Sequence, residues 1–156
     1  MEKERTAKKS YRWVIILLLL DQITKTLMTG KTLFQTSTLS LTYMENTGSA
    51  FGLFSGFQFY PQVITVLSII TIYFLIKYKK EFWKTKILQW AHIFMIAGIA
   101  SNMIDRIVYG FVKDFISISF FSTFNFADIY LTVAAVLLIV HMSRDTKNLK
   151  KQNPES

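Results

Sequence analysis

Apolar and polar positions fall along this chain in blocks much longer than a helical turn. Trp13-Val-Ile-Ile-Leu-Leu-Leu-Leu20 opens the first block, which continues through Asp21, Ile23 and Leu27. No charge occurs between Glu45 and Lys77, and Pro61 suits the first turn of a helix reaching about Tyr78. Ile87–Ile104 holds eighteen uncharged residues, which as a helix rise about 27 Å, close to the hydrocarbon thickness of a bilayer. The last block starts near Asn125 and ends near Met142. A soluble helical bundle would need polar faces at helical period, and these runs have almost none. The pattern predicts an all-α membrane protein, a single integral membrane domain over 1–156. Its four transmembrane helices are expected at about 12–28, 58–78, 87–106 and 125–142.

Two outer segments remain, at about 29–56 and 107–124. The first contains Thr32–Tyr43, β-branched and alternating, followed by the turn-prone Asn46-Thr-Gly48, and predicts a small extracytoplasmic β-rich cradle lying on the membrane. The second is rich in Phe and Ser and predicts an interfacial loop that covers something.

Composition narrows the class. Of 156 residues, 51% are hydrophobic and 18% charged, which excludes a disordered chain. Eighteen Lys+Arg against ten Asp+Glu give +8, a balance that in a soluble protein points to nucleic acid. Here fourteen of the eighteen fall in three segments, five in 1–12, five in Lys77–Lys86 and four in Arg144–Lys151. That is the positive-inside pattern: all three are cytoplasmic, an even number of spans joins the termini, and no nucleic-acid partner is expected. The basic start imitates a signal peptide, but no small-x-small site follows, so it reads as an uncleaved first helix. The tail Ser143–Ser156 reads as a solvated, frayed end. With no Cys, thiol nucleophiles, disulfides and Cys-based metal sites are excluded. His92 and His141 lie near opposite ends of different spans, which argues against zinc, and neither Ser101 nor Ser119 has a base nearby in sequence.

Acids in or near lipid need a partner or a task. Asp21 and Lys25 lie one turn apart and can neutralise each other, with Lys25 snorkelling outward, or brace the far side of a site. Asn125 and Asp128 can form a capping box, and Arg106 can satisfy the last carbonyls of its helix. Asp114, between Lys113 and Phe115, has no such local explanation. Asp114 and Asp128 come from segments free to converge. Two converging carboxyls oppose double ionisation, so one keeps a proton while the other activates a water.

Five blocks then carry a resemblance. Asp21-Gln-Ile-Thr-Lys25, Asn46-Thr-Gly-Ser-Ala-Phe-Gly52, Ala97-Gly98 leading to Asn102-Met-Ile-Asp-Arg106, Gly110-Phe-Val-Lys-Asp-Phe115 and Phe124-Asn-Phe-Ala-Asp128 resemble, in order, the lipoprotein signal peptidases, or type II signal peptidases. The resemblance spans about residues 12–142. It implies a four-span bacterial inner-membrane aspartyl peptidase, active site at the outer face, that removes signal peptides from prolipoproteins before a diacylglyceryl-modified cysteine. By position it implies Asp114 and Asp128 as catalytic, with Asp21, Lys25, Asn46, Gly48, Ala50, Asn102, Asp105, Arg106, Asn125 and Ala127 as substrate-binding or supporting residues. It implies no metal or cofactor, a prolipoprotein substrate, contact with membrane lipid and a monomer. Glu45, Ser101, Lys113 and Ile129 depart from the family pattern, which has Arg, Gly, a small apolar residue and Ser there. A cation at Lys113 is expected to favour ionised Asp114 and so to shift the pH optimum. A non-catalytic transport or assembly subunit using Asp21 and Lys25, or an inactive precursor-binding paralogue, is the alternative.

Overall fold

The computed structural model describes the backbone over residues 2–48 and 59–152 and side chains over 11–48 and 59–146. In chain order the elements are α1 (Glu2–Met28), β1 (Thr32–Gln35), β2 (Leu39–Asn46), α2 (Tyr60–Lys77), the short α3 (Lys79–Phe82), α4 (Lys86–Tyr109), β3 (Val112–Ile118), β4 (Thr123–Phe124) and α5 (Phe126–Gln152). Both α1 and α5 extend beyond their apolar blocks into the basic ends. No Gly or Pro interrupts Glu2–Arg12 or Ser143–Gln152, so nothing stops either helix.

Among the described residues three helices are long and apolar enough to cross a membrane: Tyr60–Lys77, Lys86–Tyr109 and Phe126–Thr146. Helix α1 is not among them, because Arg12, Asp21 and Lys25 interrupt its apolar run. The chain is a multi-pass membrane protein, and its surface says the same. Ile15, Leu19, Leu20, Val66, Ile69 and Ile139 are exposed, while the largest fully buried side chains include Lys25, Asn125, Asp21, Asp105 and Asp114. Apolar atoms outside and charges inside invert the arrangement that water imposes.

Helix α4 is the hub, packing on α1, α2 and α5 around Val14, Leu75, Ile93, Ile96, Ala97 and Tyr130. Thr85 caps its start, accepting from the Leu88 amide at 3.3 Å. Gly110, at φ +80°, ends it in the left-handed conformation, three residues beyond the expected end. Gly98 permits the closest approach: a Cβ there would lie 2.7 Å from the Ala127 carbonyl oxygen and 2.8 Å from Leu131 Cγ. Fully buried Ala97 and Ala127 extend this small-residue contact between α4 and α5.

The expected interfacial loop over 107–124 is corrected. That segment forms β3 and β4, which complete a four-stranded antiparallel sheet in the order β1-β2-β3-β4. The small sheet expected from Thr32–Tyr43 is present, and it is larger than expected because two strands from 107–124 join it. Val112–Phe115 is buried on both faces, so the chain lacks the alternation that marks a half-exposed strand. The sheet closes the end of the bundle where α1 and α4 finish and α5 begins.

Candidate active site

The site begins with a local motif. The Asn125 side-chain oxygen accepts from the Asp128 amide at 3.1 Å, and Asp128 Oδ2 accepts from the Asn125 amide at 3.1 Å, a reciprocal cap on α5. The same asparagine reaches further. Its Nδ2 donates to Asp114 Oδ1 at 2.7 Å and to Asn102 Oδ1 at 3.2 Å, so Asn125 is bonded to both acids expected to converge, to Asp114 through its side chain and to the Asp128 carboxylate through its backbone amide.

Asp114 is brought in by β3. Asn46 Nδ2 donates to its other oxygen at 2.9 Å, and Asn46 Oδ1 accepts from the Gly48 amide at 3.0 Å. Burial pushes Asp114 up to about 7, the charge of Asp128 adds to the rise, and the bonds from Asn46 and Asn125 oppose it.

Beneath the pair lies a buried ion cluster. The Lys25 ammonium has three hydrogens and three acceptors: Asp21 Oδ2 at 2.7 Å, Asp105 Oδ2 at 2.9 Å and Asn102 Oδ1 at 2.9 Å. Taken up by Lys25 and Asn125, the Asn102 oxygen leaves its Nδ2 directed at Asp128 Oδ1, 2.9 Å away. Arg106 Nη1 donates to the Asn102 carbonyl at 3.4 Å, as expected at the end of that helix. Lys25 does not snorkel. It is 1% exposed, because the non-local Asp105 and Asn102 hold it inside.

Each supporting carboxylate also grips the peptide just before an acid of the pair. Asp21 Oδ1 accepts from the Ala127 amide at 3.0 Å, and Asp105 Oδ2 accepts from the Lys113 amide at 3.1 Å. Asp21, Lys25, Asn46, Gly48, Asn102, Asp105, Arg106, Asp114, Asn125, Ala127 and Asp128 thus meet in one network, and Ala50 lies outside the described residues. Gln22 was not expected there. Its Nε2 donates to the Ser101 carbonyl at 3.1 Å, Ser101 Oγ at 2.9 Å and Asp105 Oδ1 at 3.0 Å. An amide inside an apolar run is the signal that could have found it.

The departures from the family pattern find distinct places. The Lys113 ammonium lies 3.7 Å from the centroid of the Tyr109 ring, so the cation faces an aromatic rather than its neighbour Asp114, contrary to expectation. Glu45 accepts from the Tyr43 hydroxyl at 3.0 Å and pairs across the strands with Lys113. Ser101 Oγ donates to Asp21 Oδ2 at 2.6 Å. Ile129 is exposed on α5. His92 packs on Phe82 and Tyr11 while His141 pairs with Asp145, and among the described residues no group of three or more His, Cys, Asp or Glu is placed to hold a metal.

Fold and site define a membrane protein whose polar interior serves two acids at one end of its helices. Its sequence matches the family model described as signal peptidase (SPase) II over residues 13–144, and the chain belongs to that family. A lipoprotein signal peptidase of Enterococcus faecalis is 39% identical over 117 residues, 72% of this chain and 70% of that protein. One from Halothermothrix orenii is 33% identical over 143 residues, 88% of this chain and 97% of its own. A solved bacterial membrane enzyme superposes with a TM-score of 0.78 at 28% identity, covering 90% of this chain and 91% of that one.

Proposed function

We propose that Asp114 and Asp128 are the catalytic pair of an aspartic endopeptidase that removes the signal peptide of lipoprotein precursors ahead of a lipid-modified cysteine. Family membership supports peptidase activity on lipoproteins. The observation that carries the aspartic reading is that Asn125 is bonded to both acids while Asp114 is pushed up to about 7. The pair holds one proton between them, and that proton belongs to neither alone. One carboxylate takes a proton from water, the water oxygen adds to the scissile carbonyl carbon, and the protonated partner gives its proton to the carbonyl oxygen. Collapse of the adduct breaks the C–N bond and returns a proton to the departing amine. A transport role is disfavoured because Lys25 is already enclosed by Asp21, Asp105 and Asn102.

The same reading gives one integral domain of four spans, counting α1 with the three apolar helices, in the bacterial inner membrane. Both termini are cytoplasmic and the sheet is at the outer face, consistent with the basic ends of α1 and α5. Asn46 and Gly48 border the substrate there, lipid contacts the modified cysteine, and a single copy contains both acids. The test is precursor cleavage by the purified chain in lipid, with Asp114→Asn and Asp128→Asn made separately. Each variant loses at least about a hundredfold in rate, and an otherwise identical precursor without the lipid on its cysteine is left uncut. If either variant retains the parental rate, the pair is misassigned.

A further inference from the structure

Asp21 and Asp105 are joined twice. Lys25 makes the charged link through Asp21 Oδ2 and Asp105 Oδ2, at 2.7 and 2.9 Å. The second link is neutral and runs Asp105 Oδ1, Gln22 Nε2, Ser101 Oγ, Asp21 Oδ2, with steps of 3.0, 2.9 and 2.6 Å. Its polarity is fixed throughout. Asp21 demands a donor, so the Ser101 hydroxyl hydrogen points to it and the hydroxyl lone pair faces Gln22. The Gln22 amide nitrogen must then turn toward both Ser101 and Asp105. Ser101 and Asp105 are fully buried, so no water replaces these bonds at low cost.

We propose that Gln22 and Ser101 are positioning residues that set the relative placement of the two catalytic aspartates. The ammonium fixes one point between Asp21 and Asp105, and the Gln22–Ser101 bridge fixes a second, which restrains the rotation of one carboxylate against the other. The restraint passes directly to the acids, because Asp21 holds the Ala127 amide, one residue before Asp128, and Asp105 holds the Lys113 amide, one residue before Asp114. The separation of two acids that must share a proton and a water is the quantity to which rate is most sensitive, and a displacement of about 1 Å costs up to a hundredfold. Neither residue touches the pair, so substrate affinity is unaffected. The inference rests on Asp114 and Asp128 being that pair.

The experiment uses the full chain in lipid and a synthetic precursor peptide bearing a diacylglyceryl-modified cysteine. Gln22→Met, Ser101→Ala and the double variant are compared with the parent and with Asp114→Asn. Each single variant is expected to lose about tenfold in kcat with KM within about twofold, and the double variant is no worse than the poorer single, because both changes open one bridge. Parental kcat in Ser101→Ala, losses that multiply in the double variant, or a rise in KM alone would overturn the proposal. Ser101→Ala removes one hydroxyl from a helix and carries the test by itself if Gln22→Met does not fold. Activity retained in Asp114→Asn removes the catalytic reading itself. An inactive Asp114→Asn beside fully active Gln22→Met and Ser101→Ala removes only the bridge.

Discussion

Asn46 reaches Asp114 because β2 carries one residue more than β3 between Leu41 and Met44. Up to Leu41 the partners are Leu39↔Ile118, Ser40↔Ser117 and Leu41↔Ile116, and beyond the irregularity they become Met44↔Asp114, Glu45↔Lys113 and Asn46↔Val112. Without the extra residue, Glu45 rather than Asn46 would share the face of Asp114, because sheet side chains alternate with period two. The bulge therefore supplies an amide donor to Asp114 and sends the Glu45 carboxylate to the side of Lys113.

The bond from Asn46 favours the ionised form of Asp114, so its removal raises a value already near 7. A pair that works with one proton loses activity as pH rises through that value. In Asn46→Ala the alkaline limb of kcat/KM is expected to move upward by about one pH unit, the worth of one hydrogen bond to a charged group. A pH–rate profile of precursor cleavage measures it, and a limb that stays in place or moves downward contradicts the assignment.

Lys25 compensates two buried carboxylates at once, and its loss leaves both without their ion-pair partner. Lys25→Met is expected to destabilise the fold by about 3–5 kcal/mol, the usual consequence of removing one partner from a buried ion pair. Adding Asp105→Asn recovers part of this by deleting one orphaned charge. Thermal unfolding in detergent reads both, and equal midpoints for the parent and Lys25→Met would contradict the ion cluster.

What the sequence exposed about the site was local in the chain. Asn125 and Asp128, three residues apart, announced their cap, and Asp21 and Lys25, four apart, announced their pair. What it hid was set by partners distant along the chain. The burial of Lys25 depends on Asp105 and Asn102, about eighty residues away, and Gln22 gains its place only when α1 meets α4. Strand β3 was hidden for another reason: both faces of its first four residues are covered, and Lys113-Asp114 near its start breaks any apolar run. Three of the four expected spans coincide with described helices long and apolar enough to cross a membrane, and these were legible because lipid demands uninterrupted apolar length, a property of each segment alone.

Lys113 gives a contrasting expectation. Its ammonium faces Tyr109, while the cation whose charge lowers Asp114 is Lys25. Lys113→Met should therefore leave the alkaline limb of the pH–rate profile within about 0.3 unit of the parent, less than the loss of one charged hydrogen bond. A limb displaced upward by a full unit would return Lys113 to the electrostatics of the pair.

Gly98 tests whether helix spacing reaches the acids. A methyl group there would press within 2.7 Å of the Ala127 carbonyl and 2.8 Å of Leu131 Cγ, and the nearer obstacle is backbone, which cannot turn aside. Gly98→Ala must push α5 away from α4, at a cost of about 1–3 kcal/mol typical of overpacking. Ala127 is also held by Asp21 and precedes Asp128, so the displaced segment is the one that carries an acid of the pair. Cleavage rate is expected to fall with the melting temperature, whereas Gly30→Ala, where φ is +69° and a Cβ meets nothing within 4 Å, strains a turn without pressing on α5. Gly30→Ala should lower the melting temperature with a much smaller loss of rate. Equal loss of rate in the two variants at matched stability would show that the α4–α5 contact supports the fold without positioning Asp128.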